Sequence, residues 1–246
     1  MRRMRRVSQT SWVWERRRRP GRRGACSRVV ALLVVVLGAA APVATGAPPG
    51  VLPDEVVLED QIAVEVLGRD VYGFDGQGAG RNHIRLELDE QVVSSGQRGQ
   101  VALVLTSRRA LALASGASGW RELPLRVGES GEALSWIAPR VLVVATAQRI
   151  LGFESGSGSW LQVDVGPNET VTHVELGAST AIVVTDRRAY GLSPEAGGFF
   201  AEPLRLHEEL ERVSASATLG QVRTSQRILI FRSPSGAWTT EKRPIH

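Results

Sequence analysis

The sequence predicts an all-β protein: a five-bladed β-propeller with offset closure by its N-terminal strand, preceded by an export signal or membrane anchor. Three observations carry that prediction. An apolar strand-turn-strand pattern recurs every 39 to 40 residues. The turns between the apolar runs are short and rich in Gly, Ser, Asp and Asn, as hairpins require. A stretch ahead of the first copy matches the stretch that follows each of the others.

The leader comes first in chain order. Residues 1–28 hold eleven arginines and one acidic residue, Glu15. An apolar run from Val29 to Ala44 follows, then the small residues Thr45, Gly46 and Ala47, and no charge returns until Asp54. A basic region, an apolar region and a small-residue tail are the pattern of a secretory signal, with cleavage expected after Gly46. Val29 to Ala47 is also just long enough to remain as an inner-membrane anchor with the arginines held inside. Either way the body is exported, to the periplasm or outside the cell. Residues 1–46 are therefore read as leader and 54–243 as the folded body.

Composition narrows what that body can do. The chain carries +5 overall, but residues 1–28 account for +10, which leaves −5 for the remainder. An acidic body lacks the positive footprint that nucleic-acid binding requires. Cys26, the one cysteine, lies in the leader, so the body has no disulfide, thiol nucleophile or cysteine metal site.

The repeat is read from two marks. The first is the turn position occupied by Asp70, Arg109, Arg149, Arg188 and Arg227; the second, four residues on, is Phe74, Leu113, Phe153, Leu192 and Phe231. Both advance by 39, 40, 39 and 39 residues. Ahead of each mark stands a valine-rich run, VALVLT from Val101 or VLVVAT from Val141, which suits a strand buried on both faces. Later segments such as WLQVDV from Trp160 alternate with period two. Four short strands in about 40 residues make one blade. The segment DEVVLE from Asp54 matches ETVTHV from Glu169, read as the end of a unit, whereas the last unit stops near Arg243. The N-terminal strand is therefore expected to complete the C-terminal blade and remove the exposed edges.

The hairpin ILGFESGSGSW from Ile150 and its counterpart ILIFRSPSGAW from Ile228 resemble the aromatic, turn, tryptophan signature of Kelch-type propeller repeats. That resemblance implies a binding platform with loops on two faces and a central channel.

Candidate sites follow from the marks. Arg109, Arg149, Arg188 and Arg227, with Arg108 and Arg187 beside two of them, are expected on one face, as a ring broken at Asp70. Such a ring could bind carboxylates or phosphates; the alternative, which the sequence favours, is that each arginine packs between blades or pairs with a carboxylate. Trp120, Trp160, Phe200 and Trp238 read as wedges between sheets, and Trp136, outside that register, as the aromatic to look for on the surface. Glu132, Glu169 and Glu209 read as solvated turn residues. His83, His173, His207 and His246 share no repeat position or metal-ligand spacing, and no cofactor is expected. The function expected is a non-catalytic module holding a protein or glycan. The alternative is a small hydrolase using acidic channel residues such as Glu65 or Asp70.

Overall fold

The computed structural model describes residues 3–6, 12–15, 60–78 and 80–242. The strands are β1 Arg3–Arg6, β2 Trp12–Glu15, β3 Ile62–Leu67, β4 Asp70–Asp75, β5 Arg81–Arg85, β6 Val92–Arg98, β7 Val101–Thr106, β8 Arg109–Ala114, β9 Arg121–Pro124 and β10 Leu134–Ile137. They continue with β11 Val141–Ala145, β12 Arg149–Glu154, β13 Ser159–Asp164, β14 Val171–Leu176, β15 Ala181–Thr185, β16 Arg188–Ser193, β17 Gly198–Pro203, β18 Leu210–Ala215, β19 Leu219–Thr224, β20 Arg227–Arg232 and β21 Ala237–Lys242. A 3-10 turn over Ser233–Ser235 is the sole helical element among the described residues.

β1 and β2 pair as a small hairpin. The other nineteen strands form five antiparallel sheets in chain order: β3-β4-β5, β6-β7-β8-β9, β10-β11-β12-β13, β14-β15-β16-β17 and β18-β19-β20-β21. Every neighbour in a sheet is a neighbour in sequence, so each sheet is a meander that folds from local contacts. The valine-rich runs become β7, β11 and β15, buried on both faces, because each lies in a sheet sandwiched between two others. Buried clusters therefore sit between sheets. One joins Leu142, Leu151 and Phe153 to Leu103 and Ala112; another joins Phe231 and Val222 to Ile182 and Val184.

A knob-into-hole contact repeats between sheets. Leu113, Phe153, Leu192 and Phe231, the second mark of the repeat, point back at the preceding sheet. There they meet a position occupied by Gly73, Ala112, Gly152 and Gly191. A Cβ on Gly73 would lie 2.3 Å from Leu113, and one on Gly191 2.4 Å from Phe231. The wedge aromatics act alongside. Trp160 Nε1 donates to the carbonyl of Arg121 (3.0 Å) and Trp238 Nε1 to that of Phe200 (2.9 Å), each in the preceding sheet. Trp120 packs over Gly73. Backbone bonds link the turns at one end of successive sheets, Gln61 N to Gly99 O, Gln100 N to Pro139 O and Arg140 N to Ala178 O.

Two expectations are corrected. The segment at Glu169 does not end a unit: Val171–Leu176 opens the next sheet by pairing with β15, and β6, β10 and β18 do the same. The last sheet consequently has four strands of its own, β18 to β21, and the closing strand expected at 54–59 lies outside the described residues. Closure is not seen among the described residues. The first and last sheets each bury one face and expose the other, with Phe74 and Leu67 exposed on β4 and β3 and Leu219 on β19. Trp136 is the second correction: it is buried in the cluster around Val143 and Val183. The apolar segment of the expected leader, residues 29–47, lies outside the described residues; among those described, no helix is long and apolar enough to cross a membrane.

Candidate functional site

Each turn that joins one sheet to the next ends in a glutamate: Glu90, Glu129, Glu169 and Glu208, at intervals of 39, 40 and 39 residues. The carboxylate folds back to accept the backbone N–H three residues earlier, from Glu87 (2.9 Å), Arg126 (2.6 Å), Gly166 (3.0 Å) and Arg205 (2.6 Å). It also accepts the hydroxyl of a threonine sixteen or seventeen residues on: Thr106, Thr146, Thr185 and Thr224. These glutamate side chains are fully buried, which corrects the expectation of a solvated Glu169.

The marker arginine completes the cluster. Arg149 donates Nε to Glu129 Oε1 (2.8 Å), Nη2 to Oε2 (2.8 Å) and to the carbonyl of Pro124 (2.6 Å), and Nη1 to Gln162 Oε1 (2.6 Å). Arg109 makes the same fork to Glu90, reaches the carbonyl of Arg85, and spends Nη1 on Glu122. Arg227 grips Glu208 and the carbonyl of Pro203, with Nη1 on Glu202. Arg188 departs. Its Nε is 3.8 Å from Glu169, and its side chain is 44% exposed. The position that supplies Glu122 and Gln162 holds Ala201 here, and Tyr190 O–H donates to Glu169 Oε1 (3.2 Å), the oxygen that also accepts the Thr185 hydroxyl.

The electrostatics follow. Burial pushes the carboxyls of Glu90, Glu129 and Glu208 up, but the bonds from arginine, threonine and backbone N–H outweigh it and hold all three below their ordinary value. Arg109 and Arg227 are raised in return, Arg109 chiefly by its bond to Glu90, Arg227 by Glu208 and Glu202 against the opposing effect of burial. Three of the four marker guanidiniums are thus occupied by acceptors of this chain.

What the clusters hold up is a row of tips. Two residues before each glutamate stands an aliphatic side chain in solvent: Leu88 (79% exposed), Val127 (97%), Pro167 and Leu206 (83%). Three of the turns pass through a left-handed residue beside the tip, Gly128, Asn168 and His207, so the backbone itself turns the tip outward. The row was missed in the sequence because each tip is one ordinary residue in a polar turn. Its signal was there: Leu88, Val127, Pro167 and Leu206 keep the repeat spacing.

The remaining candidates scatter. His83 pairs with Asp70 (2.8 Å) on the open face of the first sheet, where the exposed Glu65 also lies. His173 is half-buried, and burial lowers its pKa. His207 is a tip-side turn residue, and His246 lies outside the described residues. No group of three or more His, Cys, Asp or Glu among the described residues could hold a metal ion.

No family model matches the chain, and no curated protein matches its sequence. Solved β-propeller proteins resemble it. Prp20p of Saccharomyces cerevisiae, whose structure was reported with its binding to Gsp1p and histones, is 8% identical, with 70% of this chain and 55% of that one covered and a TM-score of 0.37. PorZ, a surface component of the type-IX secretion system of Porphyromonas gingivalis, is 15% identical over 75% of this chain and 27% of its own, at 0.37. YCF48, solved with a D1 peptide, is 12% identical over 76% and 69%, at 0.28. The chain spans about half the length of Prp20p and about a quarter of PorZ.

Proposed function

We propose that this chain is an exported, non-catalytic scaffold that holds a protein partner along the row Leu88, Val127, Pro167 and Leu206. The observation that carries the proposal is the row itself. Single exposed aliphatic residues are ordinary, but the same position in four successive turns presents a repeating apolar edge. The Glu-Thr-Arg clusters beneath fix each turn before any partner arrives, so little ordering is left to oppose binding. On this proposal the marker arginines act by positioning the tips. Aliphatic tips offer no flat ring for a sugar to stack on, which favours a protein over a glycan. Export rests on the leader pattern at residues 1–47, and residues 54–243 form the body.

The test is co-purification from envelope extract with the full chain and with a variant carrying Leu88→Asp, Val127→Asp and Leu206→Asp. The melting temperature should be unchanged, since these side chains bury nothing, and partners held by the wild type should be lost. Partners retained by a folded triple variant would overturn the proposal.

A further inference from the structure

The two ends of the sheet stack are built differently. Each inner sheet receives a knob from the sheet after it into a small-residue hole. In the last sheet the hole position, one repeat beyond Gly191, is filled by Ile230. In the first sheet the knob position is Phe74, which enters no other sheet among the described residues and is 44% exposed, whereas Leu113, Phe153, Leu192 and Phe231 are fully buried. The first sheet also lacks the other hooks: Asp70 replaces the marker arginine and Arg81 stands one repeat before Trp120. Phe74 of one copy therefore cannot plug the far end of another, nor of its own chain, in the way that joins the inner sheets.

The open face of the first sheet nevertheless carries aromatic and charged side chains in a regular layout. Along β4 run Tyr72 and Phe74, their rings 6.4 Å apart, with the His83 ring stacked on Tyr72 at 4.8 Å and the Arg81 guanidinium 5.0 Å from it. Leu67 adds a further exposed apolar side chain at 57%. Charge is laid out by strand. On this face β3 offers the exposed Glu65, β4 offers Asp70, bound to His83, and β5 offers Arg81, His83 and Arg85, all three exposed. Glu65, Tyr72 and His83 occupy one row across the three strands.

We infer that this face binds a second copy of the chain, forming a two-fold dimer whose axis runs along β4. Turning a three-stranded face about its middle strand lays β3 of one copy over β5 of the other, twice. Glu65 then faces His83 of the second copy between Arg81 and Arg85, and the Tyr72 and Phe74 rings cover their own counterparts. Glu65 thus meets the basic strand of the second copy while the rings pack at the centre, and the two Asp70 carboxylates brought together on the axis are countered by the His83 bound to each and by Arg85 in the same row. The alternative register, β3 over β3, would set Glu65 against Glu65 and arginine against arginine.

Sedimentation equilibrium of the full chain tests this. The wild type should show twice the chain mass at high concentration. Phe74→Glu and, separately, Glu65→Arg should each weaken association by about tenfold or more. Glu65→Arg combined with Arg81→Glu and Arg85→Glu should restore it, a rescue that damage to folding could not produce. The triple rim variant should dimerise like the wild type, so failure of this inference and failure of the proposed rim are separable. A wild type that stays monomeric at about 100 μM, as it would if residues before Asp60 covered the face, overturns the inference. So does a charge swap that rescues nothing, or association that depends on the rim instead.

Discussion

Arg149 and Glu129, twenty residues apart in sequence, form a forked ion pair with side-chain exposures of 5% and 0%. The pair ties the start of β12 to the turn that enters the same sheet, and the bond to Pro124 O reaches the sheet before. Removing one partner strands the other. Arg149→Ala is therefore expected to cost about 3–5 kcal/mol of unfolding free energy. Arg149→Met with Glu129→Leu should cost less than the single change, because no charge is left buried. Urea denaturation of the three chains checks both statements; a single variant as stable as the wild type contradicts the clamp.

Arg188 supplies the internal control. Its guanidinium is half out in solvent and 3.8 Å from Glu169, so Arg188→Ala is expected to cost under about 1 kcal/mol. Restoring the missing acceptor with Ala201→Gln, the residue at Gln162 one repeat earlier, should stabilise by about 0.5–1 kcal/mol. Ala201→Gln should add nothing once Arg188 is alanine, and an equal gain in both backgrounds would show that the new side chain acts elsewhere.

Acid should act through the same clusters. In the folded state Glu90, Glu129 and Glu208 have pKa values below the ordinary 4.5, so the unfolded chain binds more protons as pH falls. Their stabilisation is complete above pH 4.5 and is lost as pH falls through their folded-state values. Asp75, held down by Gly116 N–H, Gln77 N–H and Ser115 against the effect of burial, adds to the slope. Melting temperature should be flat with respect to these groups from pH 5 to 7 and drop steeply below 4. The drop should shrink in the Arg149→Met, Glu129→Leu chain, and a profile identical to the wild type would assign the acid sensitivity to other groups.

How much of this was legible in the sequence follows from what each residue type reveals alone. The marks at Arg149 and Phe153 stood out because arginine and phenylalanine at fixed spacing are rare by chance, and they located five sheets. Glu129 and Thr146 keep the same spacing, yet a glutamate in a polar turn looks solvated until the fold buries it. The segment at Glu169 could be attached to the sheet before or after it, since strand pairing is set by which turn is short enough to bend as a hairpin. That ambiguity produced the expected closing strand. The small residues opposite Phe153 and Phe231 gave no warning, because Ala112 and Gly191 acquire meaning only from the ring that fills them.

Gly191 is the place where that fit can be tested. An added methyl would sit 2.4 Å from the Phe231 ring in a fully buried contact between the fourth and fifth sheets. Backbone on either side is locked in ladders, Gly191 to Ile182 and Phe200 and Phe231 to Gly220 and Trp238, so the sheets must part or the ring must leave its rotamer. Gly191→Ala is expected to cost about 1–3 kcal/mol. In a Phe231→Ala background, which removes the ring that clashes, Gly191→Ala should cost much less than it does alone, although Phe231→Ala by itself destabilises by opening space beside Trp238. That coupling between the two substitutions is the signature of a knob and its hole. Additive effects in thermal melts would mean that Gly191 is required for its backbone and not for the ring above it.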